Sequence, residues 1–404
     1  MRIILITIFF FQYLLICGQL LNNSALYYSD SLSQAIQFQG QSYIGSTHLP
    51  MSITKVFYRG GTIDQQMKEK AASRLNKLNR VGFESMFNIS YFNNRPVILK
   101  KYGFYLNATS IASLGAEYTD DFYLATIDGN TAYKGEYINL QQSGFHSRFY
   151  NSLALGIMNN KFKLGICYTS IQSEINAQIY QGGIDVSADA TQLDANINGY
   201  MTSSNNSSKL LNPFNWGLGL NFEITNLINK LDSNYNSRII AGINGFGVQK
   251  LTLANYIYLD TNLVYRGAHI QNTSDFNNSI LPTNILDSLN ENLSQLNFLP
   301  FELYVHKIGG RKSAKIHSCY GLRYRSLSNY SVLIYAGAEY HFNKTFTMGS
   351  IVSYGGYSSL NQGIFARYKS KRIIAGLNTN NFIGLFLKNS RGTGINFSMC
   401  YFLK

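Results

Sequence analysis

Apolar and polar residues alternate one for one along much of the chain. In residues 215–224, Trp216, Leu218, Leu220, Phe222 and Ile224 fall on one side, and Asn215, Gly217, Gly219, Asn221 and Glu223 on the other. Residues 331–342 repeat the pattern, with Val332, Ile334, Ala336, Ala338, Tyr340 and Phe342 opposed by Leu333, Tyr335, Gly337, Glu339 and His341. Phe346, Met348, Val352 and Tyr354 continue it, and Ile395, Phe397, Met399, Tyr401 and Leu403 are set against Asn396, Ser398 and Cys400. A period of two is that of a strand with unlike faces. The runs are roughly 9 to 12 residues long, which suits a tilted strand crossing a bilayer and exceeds the usual soluble strand. Short turns at Asn159 and Asn160 and at Asn343 and Lys344 join neighbouring runs, so the strands read as hairpins in series. A long meander removes its two open edges by closing. The pattern therefore predicts an all-β chain: a closed antiparallel transmembrane β-barrel of about 14 strands, roughly 12 to 16, with one or two short helices.

Two segments depart from the strand period. Residues 62–78 open with Thr62 and Gln65 at capping-box spacing and repeat Ile63, Met67, Ala71 and Leu75. Residues 283–296 follow Pro282 and place Leu286, Leu289, Leu293 and Leu296 on one stripe. Both read as short packing helices. The Asn-rich residues 203–208 and 271–278 read as exposed loops.

At the start, Met1 and Arg2 precede an apolar run over residues 3–16, with small residues around Cys17 and Gly18. That is the pattern of an export signal. Residues 1–18 are expected to be the signal, 19–82 an N-terminal segment with a short helix in or beneath the barrel, and 83–404 the barrel. A single-span anchor is the runner-up, although the apolar run is shorter than the roughly 20 residues a spanning helix needs. Lipidation at Cys17 is a third reading, set back because bulky Ile16 precedes it where a lipoprotein signal wants a small residue. With an even strand count, both ends of the exported chain belong on the periplasmic side; the basic run 369–372 is expected to turn on the outer surface.

Composition sharpens this picture. Charged residues are 14% of the chain, against about 25% in soluble domains. Too few remain to clothe an ordinary solvated surface, whereas a lipid-facing band needs none. The 30 Tyr suit the two interfaces of such a band, where one end of the ring is apolar and the other wet. The net charge of +13 is scattered singly, apart from residues 311–315 and 369–372. It reads as basic rims meeting the phosphates of outer-membrane lipid and lipopolysaccharide rather than as a nucleic-acid surface. Cys167, Cys319 and Cys400 are too widely spaced for a disulfide framework or a zinc motif.

No catalytic or nucleotide-binding motif is present, and the six His do not pair at ligand spacing along the sequence, so neither enzyme, cofactor nor metal is expected. Gly242, Gly245 and Gly247 read as small residues at a bend of the barrel wall. What stands out instead are charged and polar residues alternating with lipid-type neighbours. Lys163, Glu174, Asn221, Glu223, Glu339, His341 and Arg367 are the candidate lumen-lining residues.

Three stretches carry a resemblance: residues 129–135 with the Tyr150 to Gly156 run, the pair of runs over residues 161–178, and Leu211, Asn212, Pro213, Phe214 and Asn215 before a Gly-alternating strand. Together they resemble the uncharacterised "domain of unknown function" outer-membrane barrels of Bacteroidota, which are similar in architecture to the long-chain fatty-acid transporter group. The resemblance implies an outer-membrane barrel of a Gram-negative bacterium and carries no functional residues with it. Two functions fit: passive or facilitated transport of small or hydrophobic molecules, or a non-conducting barrel that docks partner proteins of a secretion or surface machine.

Overall fold

The alternating stretches pair into one antiparallel sheet of 17 strands in the computed structural model, which describes residues 34–128, 133–189, 191–204, 212, 214–228, 234–265, 294–326, 329–387 and 389–403. The strands are β1 (Gln34–Ser46), β2 (Leu78–Ile98), β3 (Tyr102–Thr119), β4 (Tyr137–Asn139), β5 (Gly144–Met158) and β6 (Phe162–Val186). There follow β7 (Leu193–Ser204), β8 (Trp216–Leu227), β9 (Arg238–Tyr265), β10 (Ser294–Phe298), β11 (Glu302–Ile308) and β12 (Ile316–Arg325). The last are β13 (Ser331–His341), β14 (Phe346–Gly356), β15 (Ser358–Lys369), β16 (Ile373–Thr379) and β17 (Gly392–Phe402).

Three positions in the wall are each filled by two collinear strands. Both β4 and β5 lie along β6, β7 and β8 run end to end between β6 and β9, and β10 and β11 lie along β9. The seventeen strands thus occupy fourteen positions. β1 pairs with β2 on one side and with β17 on the other, from Ala35 opposite Phe402 to Gly45 opposite Gly392, which closes the cylinder. Among the described residues, β1 and the start of β2 thus belong to the wall ahead of the boundary expected at residue 83. The export signal and Cys17 lie outside the described residues.

Side chains divide as alternation demands. Leu218, Leu220, Phe222 and Ile224 are exposed, while Gly217, Gly219 and Glu223 between them are buried. Leu153 and Leu155, Leu164 and Ile166, Ile334, Val352, Leu377 and Met399 extend the apolar exterior around the barrel. The interior holds Gln37, Gln39, Gln41, Glu84, Arg148, Glu223, Arg323, Arg325 and Asn396. This is a protein with its polar residues inside, the arrangement a hydrocarbon surround selects. Among the described residues no helix is long and apolar enough to cross a membrane, so crossing is left to the strands.

Four short helices occur among the described residues: α1 (Met51–Arg59), α2 (Gln65–Ala72), α3 (Asp120–Asp128) and α4 (Phe382–Phe386). α2 is shorter than residues 62–78 and is capped by Asp64, whose carboxylate accepts from the Met67 amide at 2.8 Å, in place of Thr62. It stops early because Asn79 holds Asn76 through two hydrogen bonds and turns the chain into β2. The second expected helix falls largely outside the described residues, and its last residues, Ser294 to Leu296, belong to β10. The first three helices converge on a cluster of Leu49, Ile53, Ala71, Tyr118 and Tyr123, with Met67 and Leu75 packed against it. Backbone bonds from Ser46 to Arg391 and from Met51 to Ser390, both 2.7 Å, tie the start of this cap to the β16–β17 connection.

The cap lies at the end opposite Gln34 and Phe402, the described ends of the chain. At the terminal end the turns are mostly short, as between β5 and β6, β13 and β14, and β15 and β16. The turn at Ser370 is also at this end, since Arg372 O accepts from the Phe402 amide at 2.8 Å. The assignment of residues 369–372 to the side away from the termini is thus corrected. Two strands, β16 and β17, separate that turn from the chain end, and an even number of crossings returns to the same side.

Alternation makes one comparison decisive. Leu220→Arg puts a charge on the lipid side and should cost about 2–4 kcal/mol near the midplane. Asn221→Arg loses the bond its Oδ1 accepts from the Gly245 amide at 2.8 Å, about 0.5–1.5 kcal/mol. Urea unfolding in vesicles should rank them in that order, and equal damage would contradict the assigned faces.

His48 sits in the cap, fully buried and edge-on to Tyr118 and Tyr123, with neither ring nitrogen hydrogen-bonded. Burial, helped by Arg391, pushes its pKa down to about 4. The folded protein thus holds the neutral ring, whose contribution is complete above about pH 6.5 and is lost as pH falls towards 4, at about 1.4 kcal/mol per unit. Proteolysis of the cap should accelerate over that interval in the wild type and less steeply in His48→Leu.

Candidate functional site

Cross-strand register places the inward charges in three groups. Lys163 of β6 stands directly opposite Glu223 of β8, and their side chains form an ion pair of 3.0 Å. Tyr304 of β11 donates to the other Glu223 oxygen at 2.6 Å. Asn221 is two residues before Glu223 on the same face, and all four line a cavity of about 240 Å³ with Phe92, Tyr105 and Ala154. Glu174 of β6 lies opposite Arg148 of β5 and pairs with it, beside a second cavity of about 460 Å³. Glu339, His341 and Arg367 line a third, of about 280 Å³, on the β12–β15 side of the barrel. Arg367 donates to Glu339 Oε2 at 3.0 Å, and His341 Nε2 is 3.2 Å from Glu339 Oε1. The seven sequence-derived residues therefore line interior cavities but do not form one site.

The feature that joins the two sides of the barrel was not among them. Glu84 of β2 is fully buried and pairs with Arg325 of β12. β2 and β12 are seven places apart around the fourteen positions, so the pair spans the lumen along a diameter. Gln41 donates to Glu84 Oε1 at 2.6 Å, and Arg325 Nε and Arg323 Nε each donate to Glu302 Oε2 at 2.9 Å. Above this bar, at the capped end, the β14–β15 turn sends Tyr357 inward until it is completely buried. The wall makes room for it with glycine: a Cβ at Gly82 would lie 2.2 Å from the Tyr357 ring, and one at Gly115 3.0 Å. Tyr330 meets Tyr357 edge to face at 5.1 Å, and the Asn329 amide donates to Gly115 O at 3.3 Å. Charge bar and tyrosines together reach across the barrel interior below the cap.

Alternation could have marked several of these residues. In β12, Tyr320 and Leu322 face out and Arg323 and Arg325 face in. In β5, Leu153 and Leu155 face out, while His146 and Arg148 are buried. Tyr357 had no such signal, because it stands in a turn.

No protein-family model matches the chain, and no curated protein matches it. Among solved structures it is similar in outline to the Pseudomonas putida toluene transporter TodX, at 9% identity over 95% of this chain and 94% of that one, with a TM-score of 0.36. It is similar also to the translocator domain of the autotransporter NalP from Neisseria meningitidis, at 7% identity over 94% and 92% of the two chains, TM-score 0.34. The transport unit of the Escherichia coli autotransporter AIDA-I gives 7%, 94% and 95%, and 0.30. The strand register, not these likenesses, carries the fold.

Removing one partner of the diametric pair should be costly in an unequal way. Arg325→Met strips the guanidinium from a fully buried carboxylate and should lower stability by about 3–5 kcal/mol. Glu84→Gln should cost less, since Arg325 keeps Glu302. The double variant should recover part of the Arg325→Met loss; urea unfolding of all three measures the coupling.

Proposed function

We propose that this barrel resides in the outer membrane of a Gram-negative bacterium and transports small molecules through a lumen that is closed at rest. The observation that carries the reading is the nature of the obstruction. The lumen is crossed by an ion pair, Glu84 with Arg325, flanked by cavities of mixed polar and apolar lining, where a purely structural barrel would gain more from apolar packing. Ion pairs and hydrogen-bonded turns can be exchanged for water or for a polar solute at modest net cost, whereas an apolar plug cannot. The mixed lining of the Lys163–Glu223 cavity, with Phe92 and Tyr105 beside Asn107, Ser152 and Thr169, suits a small molecule of part-apolar character. Apolar outer face and lipid phosphates, including lipopolysaccharide, make up the surroundings on this reading.

One observation favours the alternative, a non-conducting barrel that docks a partner protein. β6 has 25 residues and β9 has 28, against 7 to 12 in β12 to β17. A crossing needs about 9–11 residues, so the β6–β9 side rises well above the β12–β17 side of the wall. Tyr180, Met201 and Tyr258 are exposed on that rise.

Planar-bilayer recording separates the two. Transport predicts a wild type that is closed or opens rarely and a Glu84→Gln/Arg325→Met double variant that conducts in steady steps. A folded double variant as silent as the wild type would remove the gated-lumen reading and leave the docking barrel.

A further inference from the structure

His317, Glu339 and His341 are 22 and 24 residues apart at their widest along the chain, yet their side chains meet at the terminal mouth of the lumen. Register explains it: His317 of β12 stands opposite Glu339 of β13, and His341 is two residues further on the same face, beside the short turn into β14. Three donor atoms form a triangle. His341 Nε2 is 3.0 Å from His317 Nδ1 and 3.2 Å from Glu339 Oε1, and His317 Nδ1 is 3.5 Å from Glu339 Oε1. In a tetrahedral centre with bonds of about 2.0–2.1 Å, neighbouring ligand atoms are about 3.3 Å apart. The triangle therefore has the size of one face of such a centre.

We propose that these three side chains bind a transition-metal dication of the zinc type, with the fourth position open to the lumen. Two imidazoles and one carboxylate favour zinc, cobalt, nickel or copper over calcium and magnesium, which take oxygen ligands. The remote atom of each ligand is already engaged, as in a metal centre whose ligands are oriented from outside. His317 Nε2 lies 3.0 Å from Arg311 O, and a carbonyl only accepts, so that nitrogen carries the proton and Nδ1 presents its lone pair. His341 Nδ1 is 3.1 Å from Thr347 Oγ1, and Glu339 Oε2 accepts from Arg367.

Without an ion, His341 Nε2 faces two acceptors and keeps the proton, while Nδ1 accepts from the Thr347 hydroxyl. With one, the proton moves to Nδ1, Thr347 turns from donor to acceptor, and the metal takes the vacated lone pair. The imidazole stays neutral throughout and no proton is released by it. Arg367 offsets the carboxylate charge, so affinity in the micromolar range is expected rather than that of a structural zinc centre. The proposal is independent of whether the lumen opens.

The test uses full-length protein without a histidine tag, refolded in detergent. Cobalt(II) titration should produce visible d–d bands of four-coordinate intensity, saturating at one equivalent and abolished by competing zinc. His317→Gln and His341→Gln should each weaken binding by more than about a hundredfold, and Thr347→Val, which removes a positioning contact, by about tenfold. X-ray absorption of the zinc-loaded wild type should show two imidazoles at the metal, which guards against a variant that fails to fold. No saturable cobalt binding, binding unchanged in both histidine variants, or an absorption spectrum without imidazole would each overturn the proposal.

Discussion

Every backbone amide and carbonyl that faces hydrocarbon must find its partner within the protein, and a sheet can do this only if its first strand pairs with its last. The β1–β17 ladder, eleven residue pairs from Ala35–Phe402 to Gly45–Gly392, meets that demand. Much else follows from it. Once the sheet is closed, the alternation of side chains no longer separates core from solvent; it separates lipid from an enclosed space. The apolar residues are spent on the exterior, and the interior must be filled with polar groups that satisfy one another.

That inversion explains why the interior is held by charge pairs set by register. Lys163–Glu223 and Arg148–Glu174 are directly opposed neighbours on adjacent strands, the shortest-range pairing a sheet offers. Glu84–Arg325 is of another kind. It links strands that never touch, and it exists only because the cylinder is narrow enough for two long side chains to meet across it. The tyrosines of the β12–β13 and β14–β15 turns pack over it, using the space that Gly82 and Gly115 leave open.

Features that depend on neighbours in sequence were legible in advance, and those that depend on closure were not. The faces of residues 215–224 and 331–342 follow from alternation alone, and the Asn159 and Asn343 turns are confirmed by side-chain oxygens accepting amides two and three residues on. The positions split between β7 and β8 and between β10 and β11 were hidden, because Asn-rich stretches and Pro300 break the alternation that would have joined them. The grouping of His317 with Glu339 and His341 could not be seen by spacing along the chain. It requires the register of a hairpin whose turn, near Tyr330, carries no diagnostic Gly.

The seam has a kinetic consequence. Most other neighbouring positions are joined by a local connection, whereas β1 and β17 come from opposite ends of the sequence, and the Leu403 amide finds Gln34 O at 3.0 Å across the junction. The thermodynamic cost of so distant a closure is small, since loop entropy grows only with the logarithm of length. Its effect on rate is larger, because contacts of high sequence separation form late. Until then the growing sheet has two raw edges, and its polar interior is an open trough rather than a chamber. Assembly in a membrane is therefore a race between zipping this last seam and pairing either edge with another chain, and the long β1–β17 ladder is what the sequence brings to winning it.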